Sequence, residues 1–512
     1  MKRNLTRASL LGMVISLSLA NFCGRACCER LSAFTPETLW TRTYGGTSAD
    51  YGVSMQRTLD AGYIIAGYTS SSGAGAWDVY LIKTDADGDI LWTKTYGGSA
   101  DDRGYSVQQT VDEGYIIAGY TSSLGAGDYD VYLIKTDADG DILWTKTYGG
   151  TADDRGYSVR QTLDAGYILT GYTSSSGAGS WDVYLIKTNT NGDILWTMTY
   201  GGEDADFGQS VEQTVDGGYV VAGYTYSFGA GAWDVYLVKT DASGIPIWTK
   251  TLGGADWDIG LSVKQTSDGG YIVTGYTGSF GAGHNDVYLV RTAADGTTLW
   301  TRTYGGMWWD VGVSVQQTSD GGYIVAGYTY SFGAGLDDVY LIKTEPDGDT
   351  LWTRTYGGAD YDRGSAVRQT SDGAYVVAGC TRSFGAGDYD VYLLRIIPGI
   401  GVEEVQSSQE IFFTPACGPN PFTDRTSVCY ELPETGRVRI VIYNFLGQEV
   451  TTLLNAEQAV GVHTVTWDGR DSFQREVSSG PYFLRFAMHS TEHSPAGEGE
   501  VHSVTKKLFL LR

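Results

Sequence analysis

Trp92-Thr-Lys-Thr-Tyr-Gly-Gly98 decides the fold, because it does not occur once. It returns as Trp40-Thr-Arg-Thr-Tyr-Gly-Gly46, and again from Trp144, Trp196, Trp248, Trp300 and Trp352, each tryptophan 52 residues after the last. Seven copies without an insertion mark a repeat architecture, in which one supersecondary unit buries its apolar face only against its neighbours.

Working outward from Trp92, each copy reads as four short strands. Gly104-Tyr-Ser-Val-Gln-Gln-Thr110 alternates apolar and polar residues, as a half-buried strand does. Val111-Asp-Glu-Gly114 is a turn, followed by the apolar strand Tyr115-Ile-Ile-Ala-Gly-Tyr-Thr121 and the loop Ser122–Gly127. Asp130–Thr136 is a third strand, Asp137-Ala-Asp-Gly140 a tight turn, and Asp141–Thr147 a fourth strand that leads into the next Tyr-Gly-Gly. No stretch has helical periodicity. The reading is an all-β chain whose repeats form a seven-bladed β-propeller of four-stranded blades, with a straight β-solenoid as the runner-up. The first copy opens with fourth-strand sequence, Leu39–Thr43, and the last stops after its third strand, Asp390–Arg395. Leu39–Thr43 is therefore expected to complete the last blade and latch the ring. The tryptophans Trp40, Trp92, Trp144, Trp196, Trp248, Trp300 and Trp352 are expected to be buried between blades.

Composition agrees: 71 glycines, 37 tyrosines and 14 tryptophans in 512 residues are a content of short strands and tight turns. A formal charge of −25 disfavours nucleic acid and anionic membranes as partners. Residues 1–30 read as a secretory signal and flank, with basic Lys2, Arg3 and Arg7 before the short apolar run Leu10–Ala20. Lipid attachment at Cys23, Cys27 or Cys28 is the weaker alternative, and no later apolar run is long enough to span a bilayer. The mature chain then divides into the propeller (31–397), a linker (398–412) and a C-terminal domain (413–512). In an exported chain Cys417 and Cys429 are a candidate disulfide, and Cys380 is a buried thiol in a slot otherwise held by tyrosine.

Thr-Tyr-Gly-Gly, Asp-Gly-Gly-Tyr-Ile-Val-Ala-Gly-Tyr-Thr and Asp-Val-Tyr-Leu-Ile-Lys-Thr, repeated over residues 38–396, resemble the bacterial secreted β-propeller repeat family, with a looser similarity to kelch repeats. Beyond Ile397 the composition changes, and strands are expected at Arg437–Tyr443, Glu449–Leu454, His463–Trp467, Tyr482–Met488 and Val504–Leu511. Pro419-Asn-Pro-Phe422, Ile442–Gly447, Gly461-Val-His463, Trp467-Asp-Gly469, Ser479–Phe483 and Lys507–Leu511 resemble the type A sorting domain of the type IX secretion system, and the similar immunoglobulin-like domain of flagellar hook-cap proteins. Gln474 stands where that pattern has glycine. The resemblance implies an immunoglobulin-like sandwich, the type IX secretion machinery as a partner of residues 413–512, and a secreted or cell-surface location.

Two sets of aspartates recur in every copy. Asp50, Asp102, Asp154, Asp206, Asp258, Asp310 and Asp362 follow Gly-Gly; Asp78, Asp130, Asp182, Asp234, Asp286, Asp338 and Asp390 open the third strand. A residue needed equally in every blade is a scaffold residue, so each carboxylate is expected to accept N–H groups of its own loop rather than to hold a metal. Calcium is the alternative for these and for Asp85-Ala-Asp-Gly-Asp89, but the spacing of that stretch fits a hairpin turn better than a calcium loop. No cofactor is implied. Histidine is almost absent from the repeats and the scattered glutamates single out no acid–base pair, so catalysis has little support.

Specific binding is expected from residues that break the seven-fold pattern. Trp77, Trp181 and Trp233 stand before the third-strand aspartate; Trp257, Trp308, Trp309, Arg103, Arg155 and Arg363 follow Gly-Gly. Aromatics with a few arginines on one face suit a glycan or protein ligand. The favoured function is a non-catalytic binding or adhesion protein, with an extracellular polysaccharide-degrading enzyme as the alternative.

Overall fold

A computed structural model describes residues 37–397, 416–418, 422–432, 435–444, 449–490 and 501–510. The expected export signal at 1–30 and the linker at 398–412 lie outside the described residues. The chain divides into two units, Met1–Glu404 and Val405–Arg512. Every regular element among the described residues is a strand.

The first unit holds seven four-stranded antiparallel sheets. In blade 1 the strands run Asp50–Arg57, Tyr63–Thr69, Asp78–Thr84 and Ile90–Tyr96 from inside to outside, and the same order recurs in the next five blades. The seven inner strands touch one another in cyclic order, the last (Asp362–Gln369) meeting the first, so the ring is closed. The last blade takes its outer strand from the start of the described chain: Glu37–Tyr44 pairs antiparallel with Asp390–Ile397, with Tyr44 opposite Val391. The latch is thus present as expected, a residue or two longer at each end.

Second strands are mostly apolar and buried along nearly their whole length because both faces are covered. Ile64 and Ala66 face blade 2, packing with Val107, Tyr115 and Ile117. Tyr63 and Ile65 face blade 7, packing with Ala366, Val376 and Ala378. Each interface between blades is therefore one hydrophobic cluster, and the core is a ring of such clusters.

The repeated tryptophans lie on the outer strands, but burial is less than expected. Six of the seven are half-buried and only Trp352 is buried, at 4% exposure. Each meets the next blade's second-strand tyrosine edge to face or tilted, as Trp92 meets Tyr115 with ring centroids 5.9 Å apart. An outer strand has one face against its neighbour and an edge in water, so an indole there is only partly covered. The outer-strand tyrosine is the better-buried anchor: Tyr96 donates to Gly140 O of the next blade at 2.7 Å.

A third device was not anticipated. The third-strand lysine is buried, and its ammonium reaches back to the turn aspartate: Lys135 Nζ lies 2.9 Å from Asp112 Oδ2 and 2.8 Å from Thr136 O. Lys83, Lys187, Lys239 and Lys343 repeat the pair, and Arg291 and Arg395 replace lysine in two blades.

The second unit has two sheets. One contains Ala416–Gly418, Thr426–Leu432 and Gly461–Trp467; the other runs Glu449–Gln458, Gly436–Asn444, Gly480–Ser490, Val501–Leu510. Val428, Tyr430, Ile440, Trp467, Leu484 and Phe486 fill the space between them. Two strands, Ala416–Gly418 and Thr426–Leu432, are additional to those expected. Gln474 adopts φ +62°, the left-handed conformation that glycine takes most readily, so the turn carries a non-glycine residue at a cost of about 1 kcal/mol. The Asp471 carboxylate holds it by accepting from Phe473 N and Arg475 N, both at 2.9 Å. The backbone register sets Cys429 opposite Ala416 and Cys417 opposite Val428. The side chains of this candidate disulfide lie outside the described residues.

Candidate functional site

Two loops of each blade meet at one end of the propeller. Trp77, just before the third strand of blade 1, bridges to Asp101 at the start of blade 2, and Asp102 N donates to Trp77 O at 2.8 Å. The same bridge joins Trp181 to Ala205, Trp233 to Trp257, Asn285 to Trp309 and Asp337 to Tyr361. The two positions singled out for breaking the pattern are thus neighbours in space, across the joint between consecutive blades.

The aspartates supply the rigidity. Asp50, Asp102, Asp154, Asp206, Asp258, Asp310 and Asp362 are fully buried and begin the inner strands rather than standing in loops. Asp102 Oδ2 accepts from Gly98 N at 2.7 Å and from Ser123 Oγ at 2.6 Å, tying both loops to one carboxylate. Asp130 Oδ2 accepts from Ala126 N and Gly127 N, both at 2.9 Å. Gly97, at φ +152°, passes between two carboxylates, where a Cβ would stand 2.5 Å from Asp102 Oδ2 and 2.7 Å from Asp78 Oδ1. Only glycine fits there, which explains why the first glycine of the Gly-Gly pair stands in every copy. Burial pushes the Asp310 carboxyl above the usual range despite its Thr329, Ser331 and Gly306 donors, and nearby Asp286 adds to the rise. Asp85 closes its own hairpin, accepting from Asp87 N and Asp89 N at 2.9 Å. Among the described residues no three His, Cys, Asp or Glu side chains converge.

The rim built on this frame is aromatic and uneven. Around blades 7, 1 and 2 the rings are packed together: Tyr389, Tyr51, Tyr68 and Trp77 form a continuous set with centroids 4.9–5.8 Å apart. Phe207 and Trp233 continue it into blade 4, and Trp181 leans on Phe207 while staying 39% exposed. The three arginines differ from expectation. Arg103, Arg155 and Arg363 sit on the inner strands, flat against aromatic rings and paired with carboxylates. Arg103 lies 4.9 Å from the Tyr68 ring and 5.0 Å from Trp77, and pairs with Asp101 at 3.4 Å. Arg155 lies 4.2 Å from the Tyr129 ring and pairs with Asp153 at 3.1 Å. Arg363 Nε donates to Asp337 at 2.6 Å, and its Nη2 donates to the Tyr330 hydroxyl at 3.0 Å. Their charge is spent locally, so they brace the rim instead of offering free cations.

At the joints between blades 4 and 5 and between blades 5 and 6 the tryptophans stand open. Trp257 is 46% exposed, Trp308 55% and Trp309 44%. Trp308, Trp309 and Tyr330 line a hollow of about 520 Å³. Their backbones are fixed: Trp308 N donates to Ser331 Oγ at 3.0 Å, and Tyr330 N to Trp309 O at 2.8 Å. His284 stacks on Trp308 at 6.0 Å. Tyr330 was not singled out from the sequence. The signal was present, since Tyr226 and Tyr330 stand where earlier copies have Ser70, Ser122 and Ser174.

Residues 422–492 match the FlgD Ig-like domain family. Regulatory protein FlaEY of Caulobacter vibrioides is 26% identical over 240 residues, covering 44% of this chain and 23% of that protein, so the chain spans about a quarter of the length of the curated relative it matches. Among solved structures, PorZ, described as an essential bacterial surface component of the type-IX secretion system of Porphyromonas gingivalis, is 13% identical over 90% of this chain and 59% of its own, with a TM-score of 0.37. A glycoside hydrolase family 43 arabinoxylan arabinofuranohydrolase from Bacillus subtilis is 12% identical over 91% and 96%, with a TM-score of 0.29.

Proposed function

We propose that this chain is an exported, non-catalytic propeller that takes a glycan or polypeptide ligand on the open part of its aromatic rim, and that residues 413–512 deliver it through the type IX secretion machinery. The observation that carries the binding reading is the exposure of Trp308 and Trp309 beside Tyr330 around a hollow. Large rings left in water are a cost to a monomer, and a pinned cluster of them is a preformed apolar platform. Indole faces stack on the C–H face of a sugar ring or on an apolar side chain, and the Tyr330 hydroxyl adds a polar edge. Fixed loop backbones lower the ordering cost of binding. The export reading is supported by the match of residues 422–492 to a FlgD Ig-like domain together with the terminal motifs named above.

The test is a glycan array and a peptide array probed with the native chain and with Trp308→Ala/Trp309→Ala. Loss of the native signals in the variant is expected, with the melting temperature changed little because both side chains are exposed. Arrays that report the same profile for both proteins would overturn the reading.

A further inference from the structure

The seven inner strands surround a central channel, and its end away from the rim breaks the seven-fold pattern in charge, as the rim does in shape. In four blades the penultimate residue of the inner strand reaches the backbone of the next inner strand. Gln56 Oε1 accepts from Gln109 N, Gln108 Oε1 from Gln161 N at 2.7 Å, Glu212 Oε2 from Gln265 N at 3.0 Å and Gln316 Oε1 from Gln369 N at 2.9 Å. The same position holds Arg160, Lys264 and Arg368 in blades 3, 5 and 7. A guanidinium or ammonium offers no acceptor, so the amides of Gln213, Gln317 and Arg57 lack this rung.

We propose that Arg160, Lys264 and Arg368, with those inward-facing amides, form a channel site for a small oxyanion of the phosphate class. Three basic side chains and one carboxylate, Glu212, leave a local charge of about +2 by count when Lys264 is protonated and about +1 when it is not, in a chain whose total is −25. Glu212 is a loose partner, its Oε2 lying 3.7 Å from Lys264 Nζ. Burial, then repulsion from Arg160, pushes the Lys264 ammonium down to about 7 against the pull of Glu212, with Arg368 adding to the drop. Burial and Arg160 lower Arg368 to about 10. The cations thus face one another with too little counter-charge. Arg160 and Arg368 each donate one Nη1 to the carbonyl of their own preceding residue, at 2.9 and 2.7 Å, which fixes the guanidinium while its other N–H groups remain for a ligand. A tetrahedral oxyanion supplies acceptors to both the cations and the amides. The inner strands run away from the aromatic rim, so this site is separate from the one proposed above.

Inorganic phosphate is titrated into the full chain at low ionic strength and near-neutral pH, and followed by calorimetry. The comparison variant is Arg160→Gln/Lys264→Gln/Arg368→Gln, which gives these blades the residue that blades 1, 2 and 6 already carry there. Saturable binding is expected in the native chain, weakened at least about tenfold in the triple variant and tightened several-fold in Glu212→Gln. If the triple variant fails to fold, Lys264→Gln alone is expected to weaken binding about threefold. A parallel titration with acetate shows whether a carboxylate end is accepted as well. Absence of saturation by either anion, or equal binding by native and Gln-substituted chains, overturns the proposal.

Discussion

Tyr44→Ala is the sharpest probe of how the ring is held shut. Tyr44 is 4% exposed and packs with Met55, Tyr63 and Ile65 of blade 1 and with Ala366 and Val391 of blade 7. Its hydroxyl donates to Gly88 O at 2.6 Å. Truncating a buried aromatic costs about 3–5 kcal/mol, and losing the hydrogen bond about 1 kcal/mol more. Unfolding entropy of about 2 cal/mol/K per residue over residues 37–397 makes 1 kcal/mol worth about 1.3 °C in melting temperature. A fall of about 5–8 °C follows. Tyr148→Ala is the control, since Tyr148 makes the equivalent bond to Gly192 O at 2.7 Å and is similarly buried. Its strand is joined by a hairpin to its own blade, whereas Glu37–Tyr44 is attached to blade 7 only by pairing and packing. Hydrogen exchange read by mass spectrometry therefore separates the two: Tyr44→Ala is expected to deprotect Asp390–Ile397, and Tyr148→Ala to leave Asp130–Thr136 far better protected. Equal protection of those two strands in the two variants would refute the latch argument even if both melting temperatures fell.

Lys135→Met removes the donor to Thr136 O and to Asp112, and is expected to cost about 2–4 kcal/mol by thermal unfolding, while Lys135→Arg is tolerated because Arg291 and Arg395 already fill that place in other blades. Lys264 gives a pH dependence whose sign is fixed. Its folded value is depressed to about 7 by burial and by Arg160, with Arg368 contributing and Glu212 opposing, so the unfolded chain holds the proton longer and stability rises as pH climbs from about 7 toward the ordinary lysine value. Water reaching a fifth of the side chain limits the gain to about 1–3 kcal/mol, read as the difference between native and Lys264→Gln melting curves; parallel curves across that window would contradict it. A fusion of residues 409–512 to a reporter is expected to reach the cell exterior in a host with type IX secretion, and a reporter retained in the periplasm would count against the export reading.

Period alone carried the propeller a long way. The copies are identical in length, so every blade had to be the same unit, and first-copy and last-copy strand counts required the latch. What one copy could not reveal was depth. Trp92 reads as a core residue by its size, yet an outer strand has a wet edge, and Tyr96 beside it is the one driven into the next blade. Arg103, Arg155 and Arg363 read as ligand cations, but a guanidinium on an inner strand meets rings and aspartates from two blades before any ligand reaches it.

Spacing along one chain sufficed for the seven-fold repeat, the four strands of each copy, the closing strand and the slots where the seven-fold rule fails. Which of those exceptions matter depends on packing between blades, which spacing does not carry. Trp77 and Trp308 are equally exceptional as letters. Trp77 is covered by Tyr51, Tyr68 and Arg103, whereas Trp308 and Trp309 stand open beside Tyr330. Arg160, Glu212, Lys264 and Arg368 each lie 52 or 104 residues from the next in sequence and converge only when the ring closes, because charges interact through space and the sequence orders them only along the chain.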